Sequence, residues 1–269
     1  MARSALAEPD PWAKCTQVNE LFAQAKANPE ALLANTKPDW STDDLPCGRP
    51  DRPELIPPSQ LPKRGLGSVE GRVALIHAIA HIEFNAINLG LDAACRFSQM
   101  PDQSNPNDPG HFYLDWLSVA ADEARHFSML SGRLQALGAR YGDLPAHNGL
   151  WEMAIKTEHD VLVRMALVPR VLEARGLDVT PGMITKLKQV GDDETVELLE
   201  VILEEEEAHV TIGTRWFRHC CQLQGLEPDS TFDELLHTYF KPPPKGPYNE
   251  PARRRAGFSE VELARLRKL

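Results

Sequence analysis

The chain has few cysteines, and they follow no recognisable pattern. Its 269 residues include five, Cys15, Cys47, Cys95, Cys220 and Cys221. The number is odd and no Cys-x-x-Cys pair occurs. That argues against a disulfide framework and against a zinc or rubredoxin-type knuckle, so five free thiols are expected. Basic charge is also scarce: 29 Lys and Arg stand against 39 Asp and Glu, a formal net charge of −10. Such a surface repels phosphate backbones, which disfavours nucleic acid as a partner. No segment approaches the run of about 20 apolar residues that spans a bilayer. The opening stretch MARSALAEPDPWAK lacks the apolar core of a signal peptide, so a cytoplasmic location is expected. Alternation at period two is missing as well, which leaves no candidate sheet.

What is present is helical. Hydrophobic content of 42% supports a substantial core, and charged content of 25% is ordinary for a globular chain. Residues 1–66 hold ten of the 22 prolines and read as an extension that packs on the core, with one short helix near 18–34. Trp12, Leu21, Phe22, Trp40 and Leu45 in this segment need burial. Residues 67–224 read as a four-helix bundle: Val69–Phe97, His111–Leu137, Leu150–Arg175 and Asp192–Leu223. Residues 99–110 and 138–149 form loops rich in turn formers. Gly176 suits a helix C-terminus, and Pro181 suits the first turn of a further short helix reaching Val190. Residues 225–269 read as a Pro-rich tail with a short helix at Ser259–Leu266, capped by Ser259. The expected class is all-α.

One arrangement of acids occurs twice. Asp122-Glu123-Ala124-Arg125-His126 and Glu205-Glu206-Glu207-Ala208-His209 each contain Glu-x-x-His preceded by another acid. Residues three apart share a helix face, so each motif aims a carboxylate and an imidazole at one point. A solvated acid belongs opposite the apolar stripe. Glu83 lies instead among Ile79, Ala80, Ala86 and Ile87. Glu123 lies among Val119, Ala120 and Phe127, and Glu206 among Ile202, Leu203 and Val210. Ionised carboxylates are costly to bury unless paired or bound to a cation. Several converging on one place point to metal.

The third long helix should supply a fourth carboxylate, with Glu173 favoured and Glu158 its rival. Glu173 matches the height of the others if the helix continues through Pro181 to Val190; Glu158 matches if it ends at Gly176. Asp122 and Glu205 can each orient the other motif's imidazole by accepting its second N–H. Arg125 can balance the site's charge or pair at the surface. His77 and His81, four apart, point away from the Glu83 face and suit packing better than ligation.

The order Glu83, Glu123/His126, Glu173, Glu206/His209 resembles the ferritin-like di-iron carboxylate superfamily. The 33-residue spacing of Glu173 and Glu206 is similar to that of rubrerythrin-type proteins, and DEARH to a signature of bacterial multicomponent hydroxylases. DEARHF, LVPRVLEARGLDVTP, EEEEAHVTIGTRWF and PARRRAGF more closely resemble domain of unknown function 455, over about residues 65–260. The resemblance implies a ferritin-like four-helix bundle holding two iron ions, or manganese and iron. Glu83, Glu123, His126, Glu173, Glu206 and His209 would be the ligands. It also implies dioxygen or peroxide chemistry, with a small-molecule substrate and an electron donor as partners. A homodimer is compatible with it.

There are departures. No cysteine ribbon follows the bundle, and ferritin cages normally carry one Glu-x-x-His, so classical rubrerythrin relay and cage storage are disfavoured. Two further readings stay open: a non-catalytic iron-handling or stress protein, and a structural bundle whose acids pair with Arg125, Arg164, Arg170 or Arg175.

Overall fold

The computed structural model describes residues 1–28, 45–61, 65–101 and 111–268. Trp40, expected to be buried, and most of the 99–110 loop lie outside them. In chain order the helices are α1 (Ala2–Ala7), α2 (Pro11–Ala27), α3 (Val69–Arg96), α4 (His111–Ala136), α5 (Gly149–Lys156), α6 (Val161–Leu167), a π-helical segment (Val168–Glu173), α7 (Ala174–Gln189), α8 (Asp193–Gln224), α9 (Pro228–Tyr239), α10 (Glu250–Arg255) and α11 (Glu260–Leu266). Among the described residues, extended pairing is limited to an isolated parallel bridge between Leu55 and Ala146. The chain divides into two compact units, Met1–Trp151 and Glu152–Leu269.

The first unit is built on the pair α3 and α4. Ser68 starts α3 by accepting the Gly71 N–H with its side chain, a cap worth about 1 kcal/mol. The two helices cross closely at Gly90. A Cβ there would lie 3.0 Å from both Ala120 Cβ and the Trp116 carbonyl oxygen. α1 packs on α3 and α2 on α4. Lys14 of α2 ties these layers together: its buried Nζ donates to the Leu6 carbonyl at 2.8 Å and to Asn88 Oδ1 at 2.5 Å. By length and composition α3 alone among the described helices could cross a membrane, but 78% of its most apolar window is buried inside the protein, so there is no clear membrane span. That burial is what a core helix requires.

The second unit packs α6, the π-helical segment and α7 along α8. The expected continuous helix over 150–175 is interrupted. α5 stops at Lys156, and Asp160 restarts the chain by accepting the Leu162 N–H at 2.7 Å. Arg164 clamps the break, donating to Thr157 Oγ1 at 2.7 Å and to the Ala154 carbonyl at 2.6 Å. Further along, Pro169 has no N–H to give, and the backbone widens to π geometry. Gly176, expected at a helix end, and Pro181, expected to start a new helix, both lie inside α7.

The tail is more helical than its prolines suggested. Pro228 and Pro251 stand in the first turns of α9 and α10, where a missing N–H costs nothing, behind the capping side chains of Glu227 and Asn249. Ser259 and Glu262 form a reciprocal capping box on α11. The tail docks by buried charge. Arg170 reaches Glu262 at 2.5 Å inside a ring of Phe217, Phe232 and Phe258, and Arg253 holds Asp178 at 2.7 Å.

Candidate metal centre

Glu83, Glu123 and His126 come together in the first unit, all three essentially excluded from solvent. The apolar stripes force this. Ile79, Ala80, Ala86 and Ile87 bury one face of α3, while Val119, Ala120, Phe127 and Leu130 bury one face of α4. The acids ride on those faces. The close crossing at Gly90 and Ala120 draws the two backbones together near them. His126 Nδ1 lies 3.3 Å from Glu83 Oε2 and 3.4 Å from Glu123 Oε2. Each side chain offers one ligand atom, and these atoms all lie within 4.8 Å of one another. This buried cluster can hold a metal ion.

Its electrostatics have a clear direction. Burial and then the Glu123 charge raise the pKa of Glu83 well above the ordinary carboxylate range, against the bond from His126. Burial alone would make His126 a weaker base. Its hydrogen bonds to Glu123 and Glu83, and their charges, overcome that and hold a proton on the imidazole. The group thus gathers protons to approach neutrality. A divalent cation does the same job with the protons released.

The second unit carries the matching residues. Glu206 and His209 lie on the inward face of α8, and Glu173 ends the π-helical segment; all three are buried. His209 Nδ1 is 3.9 Å from Glu206 Oε2. Glu173 and its rival differ in burial, since Glu158 is exposed in the turn after α5. Pro169, one helical turn before Glu173, seats on Gly213 of α8, where a Cβ would lie 2.3 Å from the proline's Cβ and Cγ.

The remaining candidates fall as follows. Asp122 is part-exposed and ion-paired with Arg125 at 3.1 Å. Glu205 is part-buried, and its neighbour Glu207 pairs with Arg255 at 2.6 Å. Arg175 donates to the Pro247 carbonyl at 3.1 Å. His77 and His81 are buried and anchor the 138–149 loop. Gly142 donates its N–H to His77 Nε2 at 2.9 Å, and the Tyr141 hydroxyl meets His81 Nδ1 at 2.9 Å. Tyr113 is buried, and burial raises its phenol. All five cysteines are free thiols. The sequence offered no signal for Tyr141, which sits in a loop with no periodicity of its own.

The family described as "Protein of unknown function (DUF455)" matches residues 7–264. A relative from Haemophilus influenzae, described as "Uncharacterized protein", is 45% identical over 260 residues, covering 97% of this chain and 90% of its own. No solved structure matches. The chain belongs to the DUF455 family.

Proposed function

We propose that this member of the DUF455 family is a ferritin-like oxidoreductase that reduces dioxygen or peroxide at a dinuclear centre of iron, or of manganese and iron. The observation that carries this reading is the buried set Glu83, Glu123 and His126, with ligand atoms within 4.8 Å. Two carboxylates and an imidazole suit hard or borderline cations rather than thiophilic ones. Three ligand atoms are too few for two ions. The repeat of the motif in α8 and the buried Glu173 provide a second set of the same composition.

In this reading Glu83, Glu123, Glu173 and Glu206 would be the carboxylate ligands, and His126 and His209 would each give one nitrogen. Asp122 and Glu205 orient the imidazoles. When bound, the two metals supply the electrons that reduce the oxidant. The chain's own part is to bury the site and manage protons. Phe84 and Phe127, next in sequence to Glu83 and His126, are buried in the same two helices. Glu83 and His126 would give up their protons as metal enters.

The test is metal content after anaerobic loading with iron or manganese, beside Glu123→Ala/Glu206→Ala. About two metals per chain, lost in the variant with helicity retained, is the expected result. Oxygen consumption by the loaded protein then separates turnover from iron handling alone. Wild-type protein that takes up no metal would leave only an acid-rich structural fold.

A further inference from the structure

Arg170 is fully buried, yet only two of its three guanidinium nitrogens are used. Nε donates to Thr214 Oγ1 at 3.3 Å and Nη2 to Glu262 Oε1 at 2.5 Å. Nη1 is buried and, among the described residues, has no hydrogen-bond partner. The group is held in place by three rings, its central carbon standing 4.2 Å from the ring centre of Phe232, 4.5 Å from Phe217 and 4.6 Å from Phe258. Burying a charged donor unpaired is costly, so Nη1 needs an acceptor.

Arg170 borders a cavity of about 10 Å³ in the second unit. There α9, α10 and α11 converge on the π-helical segment, through Phe232, Arg253 and Leu266. Space of that size takes one water or one monatomic ion and excludes phosphate, sulfate or a carboxylate.

Charge decides between water and ion. Arg175 and Arg253 also line the cavity, and Asp178 is the one acid on its wall. With Glu262 behind Arg170, three guanidiniums face two carboxylates. Asp178 is already engaged: Arg253 grips it at 3.0 and 2.7 Å, and the Asn249 N–H donates to it at 2.8 Å. The Tyr248 hydroxyl, also on the wall, donates to the Pro244 carbonyl at 2.5 Å. A water needs acceptors for its own two protons, whereas an anion needs only donors. Burial makes the Arg170 charge hard to keep. Glu262 offsets this, and Arg218 and Arg253 add repulsion. An anion at Nη1 would satisfy the free donor and relieve the repulsion together.

We propose that this cavity is a chloride site, in which the ion accepts the Arg170 Nη1 N–H and holds the tail against the π-helical segment. The ion binds reversibly, entering past Arg175 and Tyr248, which are only part-buried. Glu173 ends the segment that carries Arg170, so the ion also steadies that carboxylate. Binding needs no metal and does not depend on the function proposed above.

The test uses the full-length chain without added metal. Its melting temperature is followed as sodium chloride or sodium bromide replaces sodium gluconate at constant ionic strength. Chloride and bromide should each raise it saturably by several degrees, as ligands of the folded chain do. Gluconate is too large for the cavity and should not. Crystals grown with bromide should show an anomalous peak within hydrogen-bonding distance of Arg170 Nη1. Val171→Ile adds a methyl group to the cavity wall and keeps Arg170. It should lose both effects and stay folded. Arg170→Met with Glu262→Gln should lose them too; if that protein does not fold, Val171→Ile decides. Equal melting temperatures in chloride and gluconate, or a water at Nη1 in place of the peak, would overturn the site. A bromide peak without halide-dependent melting would mark binding at crystal concentration only, and would overturn it as well.

Discussion

Gly213→Ala and Gly182→Ala should have opposite effects although both add one methyl group inside a helix. At Gly182 of α7 an added Cβ meets nothing within 4 Å. Replacing helical glycine by alanine there should stabilise by up to about 1 kcal/mol, through the unfolded chain's lost freedom. At Gly213 of α8 the new Cβ would lie 2.3 Å from two atoms of Pro169. Carbon contacts settle near ~3.5–4.0 Å, so the helices must part by more than about 1 Å. Pro169 has a closed ring and cannot swing to another rotamer, and its segment is already widened to π geometry. Overpacking of this kind costs about 1–3 kcal/mol, and the rigid partner argues for the upper end. After the helix-propensity gain, Gly213→Ala should lose about 2 kcal/mol.

The two variants should thus differ by about 3 kcal/mol in urea denaturation. The loss in Gly213→Ala should lower the melting temperature by about 4–8 °C. Glu173 lies four residues beyond Pro169, so displacing that segment should also weaken metal uptake if Glu173 is a ligand. A Gly213→Ala protein as stable as Gly182→Ala would refute the close seating of Pro169 and the account of the π segment built on it.

Three further outcomes are expected. Lys14 is buried and its pKa falls from 10.5 to about 8, chiefly through burial. Between those values the unfolded chain binds more protons, so wild-type stability should rise with pH across the window relative to Lys14→Met. The gain is about 3 kcal/mol at most, seen as diverging urea midpoints at pH 7.5 and pH 10; parallel midpoints would contradict the burial. Arg170→Ala should cost about 3–5 kcal/mol by stranding Glu262, while Arg170→Met with Glu262→Gln should cost clearly less in the same assay. Glu173→Ala should lower metal stoichiometry, and Glu158→Ala should leave it unchanged, because only Glu173 is buried; equal loss in both would unseat Glu173.

How much of this was legible in the sequence depended on how far apart the deciding residues stand. The long helices were read to within a residue or so. Val69–Phe97 became Val69–Arg96, His111–Leu137 became His111–Ala136, and Asp192–Leu223 became Asp193–Gln224. Their stripes and end signals are local, repeating every few residues. The same periodicity exposed the acids: Glu83, Glu123 and Glu206 fell inside apolar stripes, and all three are buried. The helix over 150–175 failed where the cause was distant or specific. Its break is held by Arg164 reaching back to Ala154, and its π turn by Pro169 meeting Gly213, 44 residues away. In the tail, Pro228 and Pro251 open helices that the Pro-rich composition did not announce, because proline's two meanings differ only by its position against a cap.

Tyr141 and His81 show the limit most clearly. Their hydrogen bond joins residues 60 apart, one on a long helix and one in an irregular loop. No period relates them, and each has an ordinary reading alone. A carboxylate in an apolar stripe contradicts its own neighbours and can be noticed within a dozen residues. A tyrosine in a loop contradicts nothing. Carboxylates carried on helices therefore leave a local trace in a sequence, whereas a hydrogen-bond partner supplied across a tertiary contact leaves none. For that reason the buried carboxylate–histidine cluster could be sought from the sequence, and the ring contacts of Tyr141 could be found only once the loop's position was known.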